Sequence, residues 1–453
     1  MFIDAKISFT LLNIALNLKM PLQLFDNILK LQGYAIDNAK KQFKQLLIAT
    51  EKSIEQRKQE IVAHHLQHNA FYQGLISDHN AAWEQLPVLT KRDLQQPLAQ
   101  RLSNGYTLKS VFKGKTSGSS GHPFTFAKDK MAHALAWAAF HHAYKEHDID
   151  LNSSLQARFY GIPLSGKGKY IELLKDYVSN RKRFPIFNLN DEVLERYVSR
   201  FGKSAFHYLN GYTSSIVLLA KYCRELQQPL QSICPSLKLC IVTSEMLFPD
   251  DRELLEKWIG VPVVNEYGAS EVGLIAMENP QGEFIINQEN LFVEVVDSHN
   301  QPVSDGTIGR ILVTDLYNLA HPMIRYEIGD LGSLKTLEDG TRVLENLQGR
   351  TSDIARLPSG KVVPGLTFYY VTKSIISEDL DILEFVVIQR EAALFEIQYV
   401  STNDMNEVQK TKVQQAMDEY LEPGLTIIFT RLESLDRSNR GKLKQFVSFE
   451  LRF

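Results

Sequence analysis

The stretch LKLCIVTSEMLFPDDRELLEKWIGVPVV, Leu237–Val264, lays out a strand, a helix and the start of a second strand in that order. Leu237–Thr243 is a short, nearly continuous apolar run of the kind that a strand buried on both faces requires. Pro249–Ile259 has helical spacing. Asp250 and Asp251 lie near the positive end of its dipole, and Leu254, Leu255 and Trp258 share one side. Val261–Val264 is apolar again. Successive strands joined by a helix run parallel, so this part of the chain predicts a substantially parallel sheet covered by helices.

Upstream, the first hundred residues read as mostly helical, with charged and apolar residues mixed at helical spacing through Ala39–His68. Near the start, Ile7–Met20 is apolar but is interrupted by Asn13 and Asn17 and closed by Lys19. That is well short of the ~20 apolar residues of a membrane span, and a helix packed on the main body is expected. Beyond about residue 350 the texture changes. Leu383–Gln389 and Leu394–Val400 read as strands, Asn406–Leu421 as a helix and Leu425–Thr430 as a further strand. The expected architecture is therefore α/β with two domains. Residues 1–349 form a large domain of mixed, largely parallel sheets and helices, and residues 350–453 a small mobile α+β domain, with the junction near Gly349–Asp353.

The 453 residues suffice for two or three domains with real cores. With 44% hydrophobic and 23% charged residues the chain falls among globular proteins, and collagen-like and disordered classes are excluded. Fifty Lys and Arg against 53 Asp and Glu leave a net charge of −3, so neither nucleic acid nor an acidic membrane is an expected partner. Cys223, Cys234 and Cys240 are odd in number and lack C-x-x-C spacing. They predict a reducing, cytoplasmic location and a role as small core residues.

The chemically richest run is Lys113–Phe124, KGKTSGSSGHPF. Thr116, Ser117, Gly118, Ser119, Ser120 and Gly121 are each glycine or carry a hydroxyl, which suits a loop whose N–H and O–H groups face anionic oxygens. The same composition suits a flexible linker. A Walker A loop is excluded, because its first glycine would stand where Lys109 is, and no G-x-G-x-x-G opens a strand–helix unit. Further along come Tyr267-Gly268-Ala269-Ser270-Glu271, Arg325–Gly332 (RYEIGDLG), Gly349-Arg350 and Asn439–Lys444 (NRGKLK).

In this order the segments resemble the signature set of adenylate-forming enzymes, the superfamily of acyl-CoA synthetases, adenylation domains and luciferases. The likeness runs from LPVLTK (Leu86–Lys91) to Lys442 and is nearest the phenylacetate–CoA ligase branch with its capsule-biosynthesis and deazaflavin-coenzyme synthetase-like members. LPVLTKRDL, TSEMLFPDDRELLEKWIGVPVVNEYGASEVGLIAME and PMIRYEIGDLG carry it. The resemblance implies ATP-dependent conversion of a small-molecule carboxylic acid to an acyl adenylate, then transfer to CoA, with an aryl or arylacetic acid as the expected substrate. Transfer to an amine, a hydroxyl or a carrier-protein thiol stays open, as does association into a homodimer.

By matching position, the resemblance assigns Thr116–Gly121 to the β- and γ-phosphates of ATP, Ser244 and Glu245 to the adenine side, and Tyr267 to packing against adenine. Ser270 falls to the α-phosphate, Glu271 to Mg²⁺, and Asp330 with Arg350 to the ribose. Lys442 would reach in from the small domain to the carboxylate and α-phosphate. The hinge falls at Ser352, where Asp or Lys is common, and Gly360 falls on the loop facing the pantetheine arm. Phe124 stands where many members carry a Lys that the phenylacetate-ligase branch also tends to lack. Thr243–Met246 lacks the family's usual Gly and Pro. The resemblance also places one wall of the acid pocket near Phe206, His207, Tyr208 and Tyr212. Some relatives bind zinc through Cys and His, but the three cysteines here lack the spacing for it.

Overall fold

The computed structural model describes residues 25–48, 51–116, 124–161, 166–348, 354–364, 367–368, 371, 382–433, 435 and 446–448. Strands β1 (Phe112–Lys115) and β2 (Thr125–Lys128) form an antiparallel hairpin. Strands β3 (Gln156–Phe159), β4 (Arg181–Phe184), β5 (Tyr208–Tyr212), β6 (Leu239–Thr243) and β7 (Val263–Ala269) run parallel in the order β4-β3-β5-β6-β7. The helices Gly166–Val178, Asp191–Gly202, Thr213–Glu225 and Pro249–Ile259 make their crossovers. The last of these shows why the strand–helix–strand reading worked. Pro249 opens the helix, Asp250 and Asp251 occupy its first turn, Lys257 its last, and Gly260 closes it at φ +84°.

Beyond β7 the same sheet continues through β8 (Gly273–Glu278), β9 (Phe284–Ile286), β10 (Leu291–Val296), β11 (Gly309–Asp315), β12 (Tyr326–Thr336) and β13 (Arg342–Gln348). Their order is β7-β8-β9-β13-β12-β11-β10, and every pairing in it is antiparallel. The sheet is mixed, and its antiparallel part is larger than expected from the middle of the chain. Short turns replace helices here, and turns join antiparallel neighbours.

One face of the parallel part is apolar throughout. Phe159, Phe184, Phe201, Phe206, Leu209 and Val242 pack there with Cys223, Cys234 and Cys240, all three of them buried free thiols. Phe206 therefore belongs to the core rather than to an acid pocket, with Phe201 and Phe184 at 4.8 and 5.5 Å between ring centroids. The helix Lys130–Glu146, capped by Asp129 on the N–H groups of Met131 and Ala132, covers the other side. It packs against Ile36–Leu46, and Glu51–His68 is a further helix of the mostly helical first hundred residues.

The smaller unit has its own sheet and core. Strands β14 (Ile354–Arg356) and β15 (Val362–Pro364) pair, and β16 (Ile382–Glu391), β17 (Leu394–Ser401), β18 (Thr426–Leu432) and β19 (Phe446–Ser448) form a sheet in the order β18-β17-β16-β19. The helix Glu407–Tyr420 begins with a capping box between Asn406 and Gln409. Ala355, Leu357 and Val363 join Phe385, Phe395 and Met417 in one core, so the β14–β15 hairpin belongs to this unit. The expected junction at Gly349–Asp353 and the stretch Ile7–Met20 lie outside the described residues. Among the described residues no helix is long and apolar enough to cross a membrane.

Candidate active site

The hairpin β1–β2 carries the loop read as phosphate-binding. Thr116 is buried and closes the loop base twice: its N–H donates to the Phe124 carbonyl at 3.0 Å, and its Oγ1 accepts from the Phe124 N–H at 3.0 Å. Thr116 thus acts at the base of the loop, and Ser117, Gly118, Ser119, Ser120 and Gly121 lie outside the described residues. Gly114 is required below it, since a Cβ there would lie 2.2 Å from the ring of Phe126. Phe124 is buried, with its ring edge-on to Tyr326 at 6.0 Å.

Tyr326 begins β12, where buried and half-buried residues alternate, so Tyr326 and Asp330 share the inward face. Each bonds a residue of the YGASE segment. The Tyr326 hydroxyl donates to Glu271 Oε1 at 2.8 Å, and the Tyr267 hydroxyl donates to Asp330 Oδ2 at 2.8 Å. Three strands separate β7 from β12 in the sheet, so direct bonds between them show that the antiparallel part curls over its apolar interior. Glu271 is 4% exposed and Asp330 8%, whereas Ser270 at the turn is exposed. The turn itself is tight: Gly273 takes φ +96°, and a Cβ on Gly268 would lie 2.7 Å from the Gly273 carbonyl oxygen.

Ser244, at the end of β6, is exposed and adopts φ +69°, a left-handed conformation. Glycine suits such a position, so Ser244 holds it at a cost in backbone strain. Glu245 points the other way. Its Oε2 accepts from the Ser214 N–H at 2.6 Å, at the start of the helix Thr213–Glu225. The sequence places Ser244 and Glu245 together on the adenine side. In the fold, Glu245 holds a helix terminus and Ser244 faces solvent.

Gly360 sits at the tip of the β14–β15 turn at φ +82°, with its N–H bonded to the Leu357 carbonyl at 2.9 Å and open space on the side where a Cβ would stand. Lys361 beside it donates to the Tyr420 carbonyl at 3.2 Å, tying the turn to the end of a helix. Arg350, Ser352 and Lys442 lie outside the described residues.

No family model matches the chain. Protein CapK of Staphylococcus aureus is 23% identical over 367 residues, covering 77% of this chain and 78% of that protein. Phenylacetate-coenzyme A ligase of Escherichia coli strain K12 is 28% identical over 167 residues, 33% of this chain and 37% of the ligase. Among solved structures, 2-hydroxyisobutyryl-CoA ligase with 2-HIB-AMP and CoA in the thioesterification state superposes with a TM-score of 0.56 at 17% identity, covering 88% of this chain and 89% of that one. Its open conformation gives 0.53 at 16% identity, with 87% and 91% covered. The chain is thus similar in sequence to CapK along most of its length and to the phenylacetate-coenzyme A ligase along a third of it, and it has the fold of the 2-hydroxyisobutyryl-CoA ligase structures.

Within that fold, sequence reasoning missed two buried cations that hold the candidate site segments in place. Arg325 is fully buried at φ +47°. Its guanidinium bonds Glu294 Oε1 at 3.0 Å and the carbonyls of Glu84, Leu86 and Asn300 at 2.8, 2.9 and 2.8 Å. It anchors LPVLTK to β12, where Leu89 also bridges Tyr326 in parallel fashion. Lys128, 2% exposed, donates to the Val272 carbonyl at 2.8 Å and to Asp315 Oδ2 at 3.3 Å, and so fixes the turn just after Glu271. Burial pushes the Asp315 carboxyl up and Lys128 pulls it back down. Arg325 stands inside the RYEIGDLG run, but nothing in its spacing marks it as a core residue.

Proposed function

We propose that this chain is an AMP-forming ligase that activates a carboxylic acid with ATP and passes the acyl group to the thiol of CoA, with an aryl or arylacetic acid as substrate class. The observation that carries the reading is the linkage of three segments far apart in sequence. Thr116 and Phe124 close the phosphate-loop hairpin, Phe124 packs on Tyr326, Tyr326 holds Glu271, and Asp330 four residues on holds Tyr267. The base of a hydroxyl-rich loop, a buried carboxylate and a second carboxylate held by a tyrosine are thus linked to one another, as a nucleotide site requires.

In this reading the N–H and O–H groups of Thr116–Gly121 hold the β- and γ-phosphates, Tyr267 lies against adenine beside Ser244, and Ser270 reaches the α-phosphate. Asp330, with Arg350, accepts from the ribose hydroxyls. Among the described residues no cluster of three or more His, Cys, Asp or Glu is arranged to hold a metal. Mg²⁺ does not need one, because one carboxylate with phosphate oxygens and water suffices. Glu271, buried and with Oε1 already oriented by Tyr326, is the carboxylate that would hold it. Bound there, Mg²⁺ would offset negative charge on the phosphates.

A substrate carboxylate oxygen bonds to the α-phosphorus as the bond to pyrophosphate breaks, giving the acyl adenylate. Lys442 donates to the oxygens that gather charge and holds the two anions in line. The CoA thiol then loses its proton and attacks the acyl carbon, and AMP leaves. Residues 350–453 act as the mobile unit between the two steps, turning about Ser352. That turn withdraws Lys442 and brings the Gly360 loop to the pantetheine arm. The exposed tip at Gly360 and the separate core of this unit support that role. The buried unpaired thiols support a reducing compartment such as the cytoplasm.

A panel of carboxylic acids assayed by ATP–pyrophosphate exchange, repeated with CoA and with hydroxylamine as acceptors, tests the proposal. Exchange with at least one acid and AMP-linked thioester formation with CoA are expected. AMP release with a hydroxamate but no thioester on any acid would overturn CoA as acceptor. Absence of exchange with every acid would overturn the ligase reading itself.

A further inference from the structure

On the face opposite the phenylalanine core, β5–β7 set Tyr208, Leu239, Ile241 and Val264 in an apolar cluster with Tyr144, while the β3–β4 end is polar. Strand register puts Arg158 of β3 beside Arg183 of β4 and Asn210 of β5, with Arg181 of β4 paired to Gln156 two residues before Arg158. Residues two apart share a face, so all three arginines point to the same side. Two of them are matched by acids of the helix Gly166–Val178. Arg181 Nε lies 3.0 Å from Asp176, and Arg183 bonds Asp176 at 2.5 and 2.9 Å and Glu172 at 3.0 Å.

Arg158 has no such acid among the described residues. Its guanidinium lies over the Tyr160 ring, 4.0 Å from the centroid, and its Nε is buried without a hydrogen-bond partner among those residues. The charge of Arg158 is felt by Glu266 and Glu172 without a direct bond to either: Glu266 accepts from the Tyr144 hydroxyl at 2.6 Å, and Glu172 is bonded to Arg183 and Lys175. A buried N–H of a charged group left without an acceptor is unfavourable, and native structures seldom keep one without a reason.

The position of Arg158 supplies the reason. Tyr160, directly above it, meets Tyr212 with ring centroids 4.8 Å apart, and Tyr212, Thr243 and Glu266 follow in register across β5, β6 and β7. These are the carboxyl ends of the parallel strands, where ligands of open α/β sheets bind. Ser244 and Tyr267 of the candidate site are the next residues along the same two strands. Arg158 is half-buried two residues before Tyr160 on the same face, level with Asn210, Ile241 and Val264 and three residues short of Ser244 and Tyr267.

We propose that Arg158 selects the acid: the substrate carries, away from its reacting carboxyl, an oxygen acceptor that the Arg158 guanidinium binds. A second carboxylate, a hydroxyl and a carbonyl share that chemistry. The inference rests on the ligase reading above and narrows its substrate class to oxygenated acids.

Pairs of acids differing only at the far end test it: an aryl acid against its ring-hydroxylated and ring-carboxylated forms, and a straight-chain acid against the dicarboxylate of equal length. In ATP–pyrophosphate exchange, the oxygenated member of at least one pair should exceed its partner in kcat/KM by about tenfold or more. Arg158→Met should cut kcat/KM for that member by about tenfold while changing the bare acid by less than about twofold, chiefly through KM. Arg158→Lys, which keeps the charge and part of the packing, should retain an intermediate preference and covers the case in which the Met variant fails to fold. Bare acids preferred in every pair, or both members falling equally in Arg158→Lys, would overturn the inference and leave the ligase reading standing. No exchange with any acid would remove both.

Discussion

The hydroxyl of Tyr326 donates to Oε1 of Glu271 at 2.8 Å, while the ring that carries it lies edge-on to Phe124 at the base of the hairpin whose loop is proposed to bind phosphate. One buried tyrosine therefore touches two segments of the candidate site that lie far apart in sequence. It also explains why an aromatic residue serves at position 124, where many superfamily members carry Lys. Phe124 supports the Glu271 carboxylate through Tyr326 instead of contributing a charge of its own.

Tyr326→Phe should keep the packing and lose the hydrogen bond. Bonds to charged groups are worth about 1.5–3 kcal/mol, so adenylate formation should fall by about 10- to 100-fold at limiting Mg²⁺. The loss should shrink as Mg²⁺ is raised, and Tm should move little. A Mg²⁺ titration of pyrophosphate exchange in both proteins reads this directly, and identical curves would detach Glu271 from the metal.

Tyr267 and Asp330 are joined by the same kind of bond, at 2.8 Å. Asp330→Asn weakens the acceptor proposed for the ribose, so wild type should prefer ATP to 2′-deoxy-ATP and the variant should lose that preference. The KM for ATP should rise about tenfold. Tyr267→Phe should raise it less, because the carboxylate stays in place. Unaltered nucleotide discrimination in Asp330→Asn would move the ribose elsewhere.

The parts of the fold legible in the sequence were those governed by local pattern. Pro249, the acidic first turn and Gly260 bound a helix by their own chemistry, and the small unit showed its strands and helix because each alternates or repeats on its own. The site segments were legible as motifs. Their convergence was not, because it depends on side chains meeting across three intervening strands. Glu245 illustrates the limit. In sequence it is the neighbour of Ser244, yet one step along the chain turns it to the Ser214 N–H. Arg325 and Lys128 were invisible for another reason: a buried cation has no signature in sequence when its partners are carbonyls from distant loops.

Lys128 gives a separable test of that support. Lys128→Met leaves Asp315 buried without its cation, which should cost about 3–5 kcal/mol of stability and disturb the turn after Glu271. Adding Asp315→Leu removes the orphaned charge, so the double variant should recover much of the loss. Denaturant unfolding of the two single variants and the double measures the coupling, and simple additivity would deny the pair a structural role.

Lys442 should divide the two half-reactions. Lys442→Ala removes the donor proposed for the α-phosphate and should slow adenylate formation by about 100- to 1,000-fold. Thioester formation from preformed acyl adenylate and CoA should fall far less, because the proposed cycle withdraws that residue before the second step. Single-turnover assays of each half-reaction distinguish the cases, and equal losses would assign Lys442 a general structural part.

Acid sensitivity should trace to His65. The ring is fully buried, with Nε2 paired to the Asn318 carbonyl at 3.0 Å and Nδ1 to the Ser103 hydroxyl at 3.2 Å, an arrangement that suits the neutral ring. Burial, together with the charge of neighbouring His64, holds its pKa down to about 3 against the bond to Asn318, from an ordinary value of 6.5. The unfolded chain therefore binds a proton that the folded chain refuses. The neutral ring's contribution is complete above pH 6.5 and drains away as pH falls from there toward 3. Between pH 7 and pH 5 this amounts to about 2 kcal/mol. His65→Gln should lower stability at pH 7, where its bonds are imperfectly replaced, yet flatten the decline on acidification by that amount. Denaturant unfolding of both proteins at pH 7 and pH 5 gives the two slopes, and parallel declines would transfer the acid sensitivity to other groups.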